Sequence, residues 1–186
     1  MEFLKTTLDG VILVKPDVFG DNRGWFSETY TFEKYKNGGI DNVFIQDNQS
    51  YSAYKNVFRG IHFQKFPYAQ SKLVRCIRGK ILDIAVDLRK GSPTYLKWEA
   101  FELTAENKYQ LFIPKGFGHG FLTLTDDCEV CYKVDAPYNK ESDRSIQATD
   151  PQIGLDIGLD SLIRSEKDMK APNLAESDCD FRYGAL

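Results

Sequence analysis

This 186-residue chain is short of the residues that most often advertise a chemistry. It has two histidines, two tryptophans and four cysteines, and neither sign of charge is in excess. Lys and Arg number 24 against 27 Asp and Glu, a net charge of −3. A weakly acidic chain of this kind is no general binder of nucleic acid or of anionic membranes, although it can hold a small basic pocket. No apolar run approaches the ~20 residues that span a bilayer. The start, Met1-Glu2-Phe3-Leu4-Lys5, lacks the apolar stretch of a secretory signal. There is no Walker loop and no GxGxxG, which excludes P-loop and Rossmann phosphate sites. The one CxxC, Cys128-Glu-Val-Cys131, has no second pair and no His pair at zinc spacing. It falls in Cys128–Val134, which reads as a strand, so its thiols point to opposite faces. Cysteines used in this way suit the reducing cytoplasm, the expected compartment.

What the chain does have is aromatic residues, 13 Phe and 10 Tyr, of the kind that strands favour. Short β-like runs separated by turns fill residues 1–150. They are Val11–Lys15, Trp25–Tyr30, Phe44–Ser52, Phe58–Gln64, Ser71–Arg78, Lys80–Leu88, Trp98–Thr104, Tyr109–Ile113, Gly120–Leu124 and Cys128–Val134. Phe32–Lys36 reads as one helical turn. In Lys80–Leu88 the residues Leu82, Ile84, Val86 and Leu88 share one face, and Ile81, Asp83, Ala85 and Asp87 the other. Such spacing predicts an antiparallel sandwich or barrel. After Asp150-Pro151 the pattern loosens. A short helix is expected over Leu162–Met169 with Ser161 as its cap, followed by a tail. The chain thus reads as one domain over 1–186, a core to about 150 and an extension over 151–186 packed on it.

Both histidines lie beside glycines, in Arg59-Gly-Ile-His62-Phe63-Gln64 and Gly116-Phe-Gly-His119-Gly120. Glycine lets another backbone approach closely. By alternation, Phe58, His62 and Gln64 share one face of their strand, and Arg59 and Phe63 the other. A His of this kind is either hydrogen-bonded within the fold or works as a base. Cupin-type jelly rolls that hold a metal use His-x-His with a Glu and a distant His. His62-Phe63-Gln64 lacks the second His, so no metal is expected. A proton-transfer site is the better fit: a His base, an orienting carboxylate (Asp83, Asp87 or Asp168), Tyr132 as an acid and Lys72 beside a developing oxyanion. For Tyr132 the plain alternative is a strand aromatic in the core, and for Lys72 a solvated charge. Arg23, Arg59, Lys72 and Lys167 are candidates for phosphate, and a solvated surface is the commoner fate of each.

Together these stretches resemble the dTDP-4-dehydrorhamnose 3,5-epimerase family. The matches run from Phe19-Gly-Asp-Asn-Arg-Gly-Trp-Phe-Ser-Glu28 through Gln46-Asp-Asn-Gln-Ser50, Arg59-Gly-Ile-His-Phe-Gln64 and Gln70-Ser-Lys-Leu-Val74. They continue through Asp83-Ile-Ala-Val-Asp-Leu-Arg89, Ile113-Pro-Lys-Gly-Phe-Gly-His-Gly-Phe121, Tyr132-Lys133 and Ser165-Glu-Lys-Asp168. The resemblance implies an all-β, cupin-like double-sheet jelly roll, a homodimer, no metal and no organic cofactor. It implies a nucleotide-diphosphate sugar as substrate, with His62 as base, Asp168 as its partner, Tyr132 as acid and Lys72 at the C4 oxygen. Arg23, Arg59 and Lys167 would hold the pyrophosphate or sugar, and His119, supported by Asp83, would line the sugar pocket. Phe26, Glu28, Gln46, Asn48 and Asp143 would lie at the substrate's nucleotide end, with Tyr138 stacked on the base. The chain departs from the family pattern in Asp143-Arg-Ser-Ile-Gln-Ala148, where a Gly and a Trp are replaced and the first residue is often Glu. That leaves the base and the sugar open, including a GDP-linked heptose, inversion at one carbon, or a non-catalytic sugar-nucleotide-binding cupin.

Overall fold

The computed structural model describes residues 1–158 and 161–185. The strands, in chain order, are β1 (Glu2–Lys5), β2 (Ile12–Lys15), β3 (Phe19–Asp21), β4 (Gly24–Phe26), β5 (Gln46–Ser52), β6 (Phe58–Gln64) and β7 (Lys72–Arg78). They continue with β8 (Lys80–Asp87), β9 (Trp98–Thr104), β10 (Gln110–Ile113), β11 (Phe117–Thr123), β12 (Cys128–Val134) and β13 (Asp143–Ser145). The described residues also include two short helices, α1 (Phe32–Asn37) and α2 (Glu166–Met169), and a 3-10 turn at Leu174–Glu176. Two antiparallel sheets face each other, in the orders β1-β2-β10-β7-β12-β5 and β13-β6-β11-β8-β9. This is the double-sheet jelly roll of the cupin kind. Strands β3 and β4 form a separate exposed hairpin.

Side-chain alternation sorts the apolar residues into layers. Val74, Cys76, Ile81, Ala85, Leu111, Phe117, Phe121 and Val130 fill the space between the sheets. On the other face of the five-stranded sheet, Phe63, Ile84, Val86 and Leu88 pack under Ile153, Leu155, Leu174, Cys179 and Phe181. Both faces of β8 are therefore buried. One is covered by the opposite sheet, the other by the chain beyond residue 150. Behind the six-stranded sheet, α1 lays Tyr35 on Ile12, Val14, Leu73 and Phe112.

Several elements differ from the sequence reading. The residues expected to form a tail are pinned. Phe181 is 2% exposed and meets Phe63 and Phe66 edge-on, and Lys90 N–H donates to its carbonyl. The helix expected over Leu162–Met169 is only Glu166–Met169, and its cap is Ser165, which accepts from Asp168 N–H, rather than Ser161. Ile163 forms a parallel bridge with Val57, and its backbone bonds to Asn56 and Phe58, which keeps the chain extended until Ser165. The run at Trp25 stops as a strand at Phe26, and β5 begins at Gln46 rather than Phe44.

The faces of β6 also differ. The β11 register pairs His119 with His62 but Phe121 with Arg59, so β6 carries an extra residue there. This bulge turns Arg59 to the side of His62, and Phe58 joins Phe63 in the outer core. It is built on glycine: Gly60 has φ +145°, and a Cβ on it would lie 2.5 Å from Gly120 Cα.

Phe181→Ala should cost about 3–4 kcal/mol, as large-to-small changes in packed cores do. Urea denaturation monitored by circular dichroism measures this directly. A loss under 1 kcal/mol would mean that the C-terminal segment is not part of the core.

Candidate active site

Cross-strand register sets His62 of β6 directly opposite His119 of β11, so the two imidazoles stand side by side on the inner face of the five-stranded sheet. Each turns Nε2 to a carboxylate of its own. His62 lies 2.6 Å from Asp168 Oδ1, and His119 lies 2.8 Å from Asp83 Oδ1. An ionised carboxylate only accepts, so Nε2–H is the donor in each pair and Nδ1 is the ring nitrogen left to face the cavity. Asp168 arrives on α2, 106 residues along the chain from His62. Asp83 arrives from the adjoining strand β8. Burial pushes Asp168 up, but hydrogen bonds from His62 and Ser165 outweigh it and hold the carboxyl below its ordinary range. Burial pushes His119 down despite the pull of Asp83, which keeps that imidazole neutral near pH 7.

The opposite wall belongs to the six-stranded sheet. Lys72 of β7 and Tyr132 of β12 point inward, with Lys72 Nζ 5.8 Å from the centre of the Tyr132 ring. Burial pushes Lys72 down to about 8, against the pull of Asp83 and Asp143, and it raises Tyr132 above its ordinary value. Arg59 closes one side by reaching from β6 to β5, where it donates to Ser52 Oγ at 3.2 Å and to the Tyr51 carbonyl at 3.0 Å.

These walls enclose a cavity with two lobes that share His62, Lys72, Tyr132 and Lys167. One lobe, about 430 Å³, adds Arg59, His119, Phe121 and the 163–165 segment. The other, about 460 Å³, adds Gln46, Asn48, Gln64, Gln70, Tyr138 and Asp143. Each lobe has the size of a small-molecule site. In the second lobe, Gln46 donates to Asn48 Oδ1 at 2.8 Å, and Lys167 pairs with Asp143. Gln64 donates to the carbonyls of Tyr68 and Pro137 and accepts from Asn139 N–H, which pins the loop that presents Tyr138.

Of the residues singled out in the sequence, His62, Tyr132, Lys72, Arg59, His119, Lys167, Asp168, Gln46, Asn48, Tyr138 and Asp143 come together here. Asp83 stands behind His119. Arg23, Phe26 and Glu28 do not line this cavity. Arg23 is paired with Asp21 and Glu28 with Lys34, while Phe26 is 67% exposed on the β3–β4 hairpin. Ser50, Phe121, Gln70, Ile163 and Arg164 line it without having been singled out. Ser50 was detectable by alternation from Gln46 and Asn48, whereas Arg164 depends on how the extension packs. Among the described residues no three metal-ligating side chains converge.

A His–carboxylate pair faces a lysine and a phenol across one cavity of a jelly roll, an arrangement with the parts of a general acid–base site. Residues 5–176 match the family model described as dTDP-4-dehydrorhamnose 3,5-epimerase, and the chain belongs to that family. A dTDP-4-dehydrorhamnose 3,5-epimerase from Sinorhizobium fredii is 46% identical, covering 98% of this chain and 94% of its own. The crystal structure of dTDP-6-deoxy-D-glucose-3,5-epimerase RmlC from Legionella pneumophila, in complex with dTDP-4-keto-L-rhamnose, is 39% identical. It superposes with a TM-score of 0.93 over 99% of both chains. ChmJ, a 3′-monoepimerase from Streptomyces bikiniensis solved with dTDP-quinovose, is 31% identical, with a TM-score of 0.85 over 94% of this chain and 88% of its own.

Because Asp168 is held below its ordinary range, it stabilises the fold above the unfolded carboxyl pKa of about 3.9. That contribution is lost as pH falls through the lower folded value. Asp168→Asn should therefore be less stable than the parent by about 2 kcal/mol at pH 7, the worth of a charged hydrogen bond. The gap should close toward pH 3 in urea titrations. A gap independent of pH would place the loss in packing rather than charge.

Proposed function

We propose that this protein inverts C3 and C5 of dTDP-4-keto-6-deoxyglucose to give dTDP-4-keto-rhamnose. The observation that supports this most is the cavity itself, with the His62–Asp168 pair on one sheet and Lys72 and Tyr132 on the other. The C4 ketone acidifies the hydrogens on C3 and C5. His62, its ring held by Asp168, takes one of them through Nδ1, and Asp168 stabilises the imidazolium that results. The electron pair moves onto the C4 oxygen, where the Lys72 ammonium stabilises the enolate. Tyr132 then delivers a proton from the opposite wall, which inverts the centre. The substrate carries its own ketone, so the reaction calls for no redox cofactor.

In this reading His119 presents its Nδ1 lone pair to a sugar hydroxyl, and Arg59 and Lys167 hold the diphosphate. Gln46, Asn48 and Asp143 meet the nucleotide, with Tyr138 stacked on the base. Arg23, Phe26 and Glu28 serve a partner's cavity, which makes the protein a homodimer. The support for the dimer is the hairpin, which exposes Phe19, Trp25 and Phe26 by more than 60% each, outside its own cavity. Four unpaired thiols suit a cytoplasmic location.

A second reading, inversion at C3 alone, is favoured by the likeness to a 3′-monoepimerase. Proton NMR of dTDP-4-keto-6-deoxyglucose in heavy water separates the two. Deuterium at both C3 and C5 is expected at a catalytic rate. Deuterium at C3 alone would establish the mono-epimerase, and no exchange would reject this substrate, with GDP- and CDP-linked 4-keto sugars next to try. His62→Ala should lower exchange at least 10²-fold, within the usual contribution of a general base. Tyr132→Phe should keep C3 exchange and lose inversion at C5. Full turnover by His62→Ala would reject His62 as the base and favour a different site.

A further inference from the structure

We propose that Arg164 is a binding residue for the diphosphate of the substrate, set in place by Gln147. The lobe that contains Arg59 and His119 is lined by four cationic side chains, Arg59, Lys72, Arg164 and Lys167. Its one lining carboxylate is Asp168, which is committed to His62. Two of the four cations are already employed. Lys167 is paired with Asp143, and Lys72 stands with Tyr132 on the wall opposite His62, beside the reacting carbons in the epimerase reading. The two arginines remain, and among the described residues both have only neutral partners. Arg59 donates to Ser52 Oγ and to the Tyr51 carbonyl. Arg164 Nη1 donates to Gln147 Oε1 at 3.2 Å. Two arginines without an anion in one lobe suit a ligand with two negative charges, and the diphosphate of a sugar nucleotide carries that charge.

The local structure fits Arg164 to that role. Its main chain lies between two fixed points. Ile163 bridges to Val57 and bonds through its backbone to Asn56 and Phe58, and Ser165 caps α2. The half-buried side chain is then oriented by an amide with only one workable setting. Gln147 Nε2 donates to the Met169 carbonyl at 2.6 Å, and a turned amide would set its oxygen against that carbonyl and its N–H against the guanidinium. Gln147 occupies Nη1, which leaves the Nε–Nη2 edge of Arg164 without a partner among the described residues. That edge is the fork that matches two phosphate oxygens. A long side chain already held in place costs less to order when the ligand arrives. Gln147 lies between Ser145 and Ala148, the two positions of that stretch where a family Gly and Trp are replaced. The family resemblance gives neither Gln147 nor Arg164 a role. The sugar offers only hydroxyls and a ketone, which gain less from a guanidinium than charged phosphate oxygens do. The ligand named here rests on the epimerase reading, but the placement of Arg164 does not.

The test compares two ligands that differ in the anion. Affinity for dTDP is measured by titration calorimetry, and for thymidine, which lacks the diphosphate, by NMR chemical-shift titration. Arg164→Gln should weaken dTDP about tenfold or more, as loss of a charged hydrogen bond predicts, and leave thymidine unchanged. Arg164→Lys, which keeps the charge but not the fork, should fall between parent and Arg164→Gln. Gln147→Ala should weaken dTDP in the parent and add nothing in Arg164→Gln, because its effect passes through Arg164. Parent-like dTDP binding by Arg164→Gln would overturn this proposal alone and turn the arginine toward the sugar or solvent. Equal weakening of dTDP and thymidine would make Arg164 structural and overturn it too. A parent that binds none of dTDP, GDP and CDP would overturn the epimerase reading and this proposal together.

Discussion

Everything at the site depends on how closely β6 and β11 approach at Gly60 and Gly120. Any side chain at Gly60 would meet the Gly120 backbone at 2.5 Å, so the two strands can lie this near only with hydrogen at Gly60, and a Cβ at Gly120 would be tight, 3.0 Å from the Arg59 carbonyl oxygen. The approach accommodates the bulge, and the bulge puts Arg59 and His62 on one face of the same strand. Without it, strict alternation would send Arg59 into the outer core, where an unpaired guanidinium is not tolerated. The same register sets His62 beside His119, so one backbone irregularity orders three of the polar groups that line one lobe of the cavity.

The second requirement is a cover for the outer face of the five-stranded sheet. Leu88, Ile84 and Phe63 would otherwise present a large apolar surface to water. The chain beyond residue 150 supplies that cover and, in passing over the edge of the sheet, delivers Asp168 to His62 and Lys167 to Asp143. Stability and site assembly are therefore coupled. The segment that buries the outer core also completes the His–carboxylate pair, so loosening one loosens the other.

The electrostatics follow from the layering. Each carboxylate of the cavity comes from a different element and backs another polar group: Asp83 behind His119, Asp143 against Lys167, Asp168 against His62. A weakly acidic protein can thus hold cationic groups where a diphosphate would lie without carrying a basic surface. Burial lowers Lys72 to about 8 and raises Tyr132 above its ordinary value, which moves the two apart.

The sequence by itself determined the class of fold and marked most of the polar side chains that the fold gathers around one cavity. Alternation along Lys80–Leu88 marked both of its faces correctly, turn residues spaced the strands, and the glycine-flanked histidines marked the site. Local signals of this kind survive because a two-residue period is written into neighbouring side chains. Tertiary structure decided the rest. The bulge at Gly60 depends on a strand 60 residues away, so alternation misplaced Phe58 and Arg59. Helix α2 begins at Ser165 because Ile163 is held by Val57, and the tail is buried because an apolar sheet face needed covering. Arg23, Phe26 and Glu28 carry binding chemistry in their residue types, yet the chain folds them onto a hairpin away from its own cavity. Each of these outcomes was set by contacts between residues far apart in sequence, where no local pattern records which surface a side chain will meet.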